Sequence, residues 1–229
     1  MRRWLIASGI VFVVLVAGAF TFYKVALEPK SKPKAEIVES KVVRTGPVDG
    51  RWVVTSGTGS DDSTRSWVGY RIGERIAHAL SGTIVGRSHT VTGGVTIDGR
   101  DVSDLSVSAD ATKFVTGNSL RDSTVQNIMD TDKFPTATFT MTRPLQLAHD
   151  PVAGERVTQG LKGDLTIHGV TRHVTVRTTA RWDGSRIQVI GEMPFTLAQY
   201  GLHVGTIPGI AQHDDFGTLE LQLFLQRQS

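Results

Sequence analysis

The sequence predicts an all-β fold, a closed antiparallel sheet or sandwich of about eight or nine strands. Three observations carry that prediction. From Arg51 onward apolar and polar residues alternate with a period of two almost everywhere, as in strands with one face on a core and the other in water. The stretch Gly160 to Ala180 contains two such runs, joined by a short Gly-containing turn around His168 to Arg172, and reads as a β-hairpin. Only Glu74 to Leu80 and Ser119 to Met129 break the pattern before the last long connection; both read as short helices outside the sheet or across its end.

Taken in order, the chain opens with Arg2 and Arg3 and then Leu5 to Tyr23, 19 residues without a charge. That length suits a transmembrane helix. Ala17-Gly18-Ala19 resembles a cleavage site, but the apolar run continues past it through Phe20, Phe22 and Tyr23, so an uncleaved signal anchor over residues 1–23 is expected. Counting positive charges alone would leave the following domain in the cytoplasm. The short N-terminal tail ahead of an apolar run is the export arrangement, and the expected location is the cell membrane, with one span and the domain outside the cytoplasm. Residues 24–50, with Pro29, Pro33, Pro47 and several lysines, read as a flexible linker. The domain is expected over residues 51–229.

Within it, Trp52 and Val54, then Val68, Tyr70 and Ile72, then Val91 to Ile97 mark the first strands. Leu105, Val107, Ala109 and Ala111 form the next run, followed by Ala137, Phe139 and Met141. A helix over Ser119 to Met129 rests on Val125, Ile128 and Met129, with Asp122 or Ser123 as its expected cap. After the hairpin come Ile187 to Gly191 and Leu219, Leu221, Leu223 and Leu225. The connection Phe195 to Phe216 is long and apolar; such a loop either plugs one end of a barrel or flanks an opening.

Composition excludes several functions. There is no cysteine, so no disulfide and no thiolate chemistry. The first 50 residues carry eight basic and four acidic residues, leaving 17 basic against 18 acidic in the rest; the domain has no footprint for nucleic acid. His168 and His173, and His213 before Asp214 and Asp215, lack a metal-binding pattern. Asp215-Phe216-Gly217 and Gly57-Thr58-Gly59 stand without the companion motifs that would give them a role. Arg121-Asp122 is the most pointed polar pair, read as fastening the helix to the sheet's rim rather than as holding an anionic headgroup. No enzyme activity, metal or cofactor is expected.

Small residues on the inner faces suggest a hollow: Ala109, Ala111, Ala137, Gly163, Ala180 and Gly191. An eight-stranded barrel is filled only if enough inner side chains are large. The predicted ligand-binding wall is Val68, Tyr70, Ile72, Leu105, Val107, Ala109, Phe139, Met141, Gly163, Leu165, Ile167, Val176 and Ala180. A dry cavity so lined suits a long hydrocarbon chain. Leu at Gly163 or Ala180 should then fill it while the barrel still folds. The same small residues also allow two sheets to close on each other, giving a filled barrel with an interaction or scaffold role.

Trp52, Val68-Gly69-Tyr70-Arg71, Leu120-Arg121-Asp122, Asp132-Lys133-Phe134-Pro135-Thr136-Ala137-Thr138-Phe139 and Gly163-Asp164-Leu165-Thr166-Ile167-His168-Gly169-Val170-Thr171 occur in that order. Together they resemble the YceI-like family of polyisoprenoid-binding, lipocalin-like proteins, over about residues 51–229. The resemblance implies a lipocalin-like antiparallel barrel of about eight strands, typically exported in bacteria, that carries or stores a long-chain isoprenoid or similar amphiphile. It departs from the family at Ser123-Thr124-Val125 and at an apparent insertion from Glu74 to His89.

Overall fold

Alternating Val, Ile, Leu and Thr on strands with one wet face give the chain its sheet. In a computed structural model, residues 32–41, 47–76, 80–205 and 211–228 are described. The strands are β1 (Gly50–Thr55), β2 (Trp67–Ile76), β3 (Leu80–Ser88), β4 (Val91–Asp98), β5 (Asp101–Asp110), β6 (Thr136–Met141), β7 (Leu145–Gln146), β8 (Arg156–Ile167), β9 (Val170–Trp182), β10 (Arg186–Thr196) and β11 (Ala211–Arg227). All their pairings are antiparallel. The ring β1-β4-β5-β6-β8-β9-β10-β11 closes through the pairing of β1 with β11, making an eight-stranded barrel. Among the described residues one α-helix, α1 (Ser119–Ile128), lies between β5 and β6.

Strand β11 makes the closure possible. On one edge it pairs with β10 from Phe216 to Gln226. On the other it pairs first with β2, through Gln222↔Trp67, and then with β1, from Phe224↔Thr55 to Arg227↔Trp52. The hand-over between partners leaves backbone groups to satisfy, and side chains do it. Gln222 donates to the carbonyls of Asp62 and Arg65 at 2.6 and 2.9 Å. The Phe224 N–H donates to Ser66 Oγ at 2.9 Å.

Two expectations are corrected. The described residues of Glu74 to Leu80 are strand rather than helix: those through Ile76 belong to β2, Leu80 begins β3, and the pair stays in register from Val68↔Ser88 to Ile76↔Leu80. The segment has no Gly or Pro to mark a turn, and its strand identity comes from pairing with β3, whose Ile84 and Val85 are buried. The apparent insertion is thus a hairpin of the sheet. Helix α1 stands where expected, but its cap is Asn118, whose side chain accepts from the Leu120 and Arg121 N–H groups at 3.1 and 3.2 Å. Asp122 instead turns back to accept from the Thr116 N–H and hydroxyl at 2.7 and 2.6 Å.

The core has two parts. Near one end, Trp52, Val48, Ile97, Ile187 and Leu225 pack together, with the Trp52 indole N–H donating to the Val48 carbonyl at 2.7 Å. Toward the other, Tyr70, Phe114, Met129, Ile167, Phe195, Tyr200 and Leu202 pack beneath α1 and the segment after β10.

Part of the expected linker lies on the barrel. Gln188 on β10 accepts from the Val38 N–H and donates to the Glu36 carbonyl, both at 2.8 Å. Arg181 donates to the Ser40 hydroxyl and carbonyl, at 2.9 and 2.8 Å. Arg71 donates to the Lys32 carbonyl at 2.9 Å, and Arg87 to that of Pro33. Beneath this strap the outer face is polar and buried: Arg71 pairs with Glu220 at 2.8 Å, and Arg87 pairs with Asp62 at 2.6 Å while lying 3.7 Å over the Trp67 ring. The candidate span Leu5 to Tyr23 lies outside the described residues, among which no helix is long and apolar enough to cross a membrane.

Ile37 is 8% exposed, a burial that a solvated linker would not have. Ile37→Ala should therefore lower the unfolding free energy by about 2 kcal/mol, read from urea denaturation of the full chain. An unchanged midpoint would mean that the strap contributes nothing to the fold.

Candidate functional site

The strands' inner faces leave a cavity of about 200 Å³. Its wall is almost wholly apolar. Ten of the predicted residues line it: Val68, Tyr70 and Ile72 on β2, Leu105, Val107 and Ala109 on β5, Phe139 on β6, Leu165 and Ile167 on β8, and Val176 on β9. An extra residue in β5 keeps its inner face in phase. Asp104 sits at φ 51 opposite a register shift in β4, and Arg51 donates to its carbonyl at 2.9 Å.

Met141, Gly163 and Ala180 are not part of the lining. A Cβ added to Gly163 would lie 2.5 Å from both the Phe139 ring and the Thr140 carbonyl oxygen. The glycine is small because an aromatic ring covers it, not because a ligand needs the room. Met141 pairs with Gly163 at the end of β6. Ala180, between Val157 and Val189, packs against the core around Trp52.

The wall also contains residues outside the predicted set. Leu219, Leu221, Leu223 and Leu225 of β11 line it, as do Met193 and Phe195 of β10; their alternation signalled an inner face without distinguishing cavity from core. Val125, Ile128 and Met129 of the α1 region close it from one side, with Leu197, Leu202 and Val204 of the long connection. That connection is thus a wall of the cavity as well as part of the core: Tyr200 is buried, its carbonyl 3.1 Å from His168 Nδ1. Ile207 and Ile210 lie outside the described residues.

Polar groups gather beside α1. Arg121 reaches Glu74 at 3.5 Å and His213 reaches the same carboxylate at 3.2 Å, with Glu74 only 7% exposed. This ties the helix to β2, as the rim reading of Arg121-Asp122 expects. Tyr70 is different. Its ring lies on Gly86, and its hydroxyl is buried with no hydrogen-bond partner among the described residues. Burial pushes its phenol up beyond the ordinary tyrosine range, so the group stays a protonated donor. Among the described residues no three His, Asp or Glu side chains come together to hold a metal ion.

The other motif residues meet in one corner. Gly169 has φ 71, and the Phe134 ring occupies the space where its Cβ would stand. Phe134 also packs edge-on against His168, with ring centroids 5.0 Å apart.

A family model described as a YceI-like domain matches residues 62–223. A UPF0312 protein of Vibrio campbellii is 27% identical over 140 residues, which are 57% of this chain and 70% of that protein. A UPF0312 protein of Shewanella denitrificans is 25% identical over 146 residues, 59% of this chain and 73% of that one. Among solved structures, a polyisoprenoid binding domain from Saccharophagus degradans superposes with a TM-score of 0.60 at 17% identity, covering 77% of this chain and 98% of that domain. A Campylobacter jejuni YCEI protein gives 0.54 at 18% identity, with 68% and 91% covered. For Burkholderia cenocepacia BcnA the values are 0.51, 18%, 69% and 95%. At these identities the structures establish a shared fold.

The contact at Gly163 makes a prediction opposite to cavity filling. Gly163→Ala should cost about 1–3 kcal/mol of stability through overpacking, measured by chemical denaturation, because Phe139 and the Thr140 carbonyl both stand in the way. A variant as stable as the parent would show that the ring swings aside.

Proposed function

Because the chain belongs to the YceI-like domain family, we propose that it is a membrane-tethered, extracytoplasmic lipid-binding protein that holds a long-chain isoprenoid or similar amphiphile for carriage or storage. The observation that carries this reading is the dry, apolar cavity inside a closed barrel. Water gains no hydrogen bonds from such a wall, whereas each buried methylene of a guest contributes about 0.8 kcal/mol. That the Saccharophagus degradans domain is a polyisoprenoid binding domain supports the same ligand class. A binding role fits better than catalysis, since the polar groups near the cavity pair with one another in structural roles, apart from the Tyr70 hydroxyl.

Tethering through Leu5 to Tyr23 is part of the proposal. The strap enters the described structure at Lys32, whose ammonium donates to the Val115 carbonyl at 3.3 Å, close ahead of α1. Residues 24–31 could extend at most about 29 Å, so a span ending at Tyr23 would keep that side of the barrel near the bilayer. A reporter active only outside the cytoplasm, fused after Ser229, should be active; silence would place the domain inside.

The lipid reading is tested by purifying the full chain from detergent, extracting it with organic solvent and identifying the extract by mass spectrometry. A stoichiometric long-chain apolar lipid is expected. Ala109→Leu, which projects new bulk from β5 into the cavity, should reduce recovery several-fold while the barrel stays folded. No lipid, together with no uptake of added polyprenyl compounds, would favour a filled barrel with a scaffold role.

A further inference from the structure

Five large apolar side chains are exposed among the described residues: Val38, Val115, Leu120, Val152 and Phe216. Scattered singly on a surface, such residues are ordinary. Three of them instead share one end of the barrel. Leu120, 74% exposed, stands on the first turn of α1, and Val115, 45% exposed, lies just ahead of it, its backbone exchanging both hydrogen bonds with Arg87 of β3. Phe216, 64% exposed, pairs with Thr196 where β10 gives way to the connection that walls the same end, and the carbonyl of Asp215 beside it accepts from the Leu197 N–H at 2.9 Å.

The outer face of α1 lacks the charges that a water-facing helix carries. Its exposed positions are Ser119, Leu120, Ser123, Thr124 and Asn127, while Arg121 and Asp122 reach Glu74 and Thr116 instead. The Ser123 and Thr124 hydroxyls donate to the Ser119 and Leu120 carbonyls, both at 3.0 Å, so neither proton needs water as its acceptor. Where the chain leads from here decides what covers this face. The strap runs from Ser40, held by Arg181, to Lys32, whose ammonium lies on the Val115 carbonyl at 3.3 Å. Residues 24–31, at most about 29 Å when extended, then join Lys32 to the uncharged run Leu5 to Tyr23.

We propose that the α1 end of the barrel is a membrane-docking surface: Leu120, Val115 and Phe216 enter the interface of the bilayer that holds the N-terminal span, and the uncharged face of α1 lies against the lipid. Docking turns the helix-covered end of the cavity toward the acyl chains, and the short tether keeps a weak contact engaged by holding the face at high local concentration. This rests on the membrane-tethered reading above and adds which face meets the membrane.

The chain has no cysteine, so single labels are straightforward. Ser123→Cys on the outer face of α1 and Val152→Cys near the far end, where the Gly154 N–H donates to the Trp182 carbonyl at 2.7 Å, each carry an environment-sensitive fluorophore. The full chain is reconstituted in phosphatidylcholine vesicles with and without a spin-labelled lipid as quencher. Quenching at position 123 should exceed that at position 152 at least threefold, with emission shifted to the blue. Adding Leu120→Ser and Phe216→Ser should bring position 123 down to the level of position 152 while the protein stays on the vesicles and melts at the parent's temperature. Equal quenching at the two positions in the parent would overturn the proposal, and so would a double substitution that leaves position 123 as strongly quenched as before. A blue shift at position 123 that is already present in detergent and grows with protein concentration would assign the face to a second copy of the chain and overturn it as well. A chain that floats with the vesicles while position 123 stays unquenched would defeat the docking surface alone; a chain that does not float with them would defeat the tethered reading with it.

Discussion

The barrel depends on one strand being long enough to serve two partners on the same edge. β11 gives the first part of its free edge to β2 and the last four residues to β1. Without that division the sheet would end in an exposed edge, with unpaired backbone donors and acceptors open to other chains. The change of partner falls at Gln222 and Phe224, where Gln222 and Ser66 supply hydrogen bonds that neither strand can. The same strand supplies four leucines to the cavity wall. Closure and cavity wall therefore come from one element.

Its outer face explains the strap. Glu220, Gln222, Gln188 and Arg87 point away from the cavity yet are buried, and an ion pair removed from water needs its remaining hydrogen-bonding positions filled. Residues 32–41 supply backbone groups for that purpose: carbonyls from Lys32, Pro33, Glu36 and Ser40, and the Val38 N–H. Such a layer contributes little net stability, because desolvation offsets most of the attraction. What it does is fix where the N-terminal segment leaves the barrel.

The strands were legible because a half-buried strand must alternate, and nine of the strands show that alternation. β3 was hidden: it begins beside a stretch with no turn residue, and only its pairing with β2 identifies it. The strap was hidden for a related reason. It is held largely through its main chain by side chains of β2, β3, β9 and β10, so its own sequence carries no period. The cavity wall was mostly legible, since inner face and wall coincide at ten positions. Gly163 marks where that logic fails. Smallness at an inner position means room only if no neighbouring ring already lies there, and Phe139 lies over Gly163 as Tyr70 does over Gly86. Sequence gives the residue's size but not the rotamer across the strand pair.

Access to the cavity follows from how its ends are held. At one end Trp52 is packed among Val48, Ile97, Ile187 and Leu225 and bonded to the chain beneath it, a seal made of buried apolar surface. At the other, α1 has no fully buried residue along Ser119–Ile128. Val125 and Ile128 pack on the core only partly buried, and the helix's other ties are polar: Arg121 to Glu74, Asp122 to Thr116, and Gln126 to the Thr112 carbonyl at 3.1 Å. Elements with little buried apolar area open locally at lower cost than the strands they cover. A chain-shaped guest would thus enter beside α1, the side on which the strap leaves the barrel, and the polar bonds that fasten the helix would set how easily the end opens.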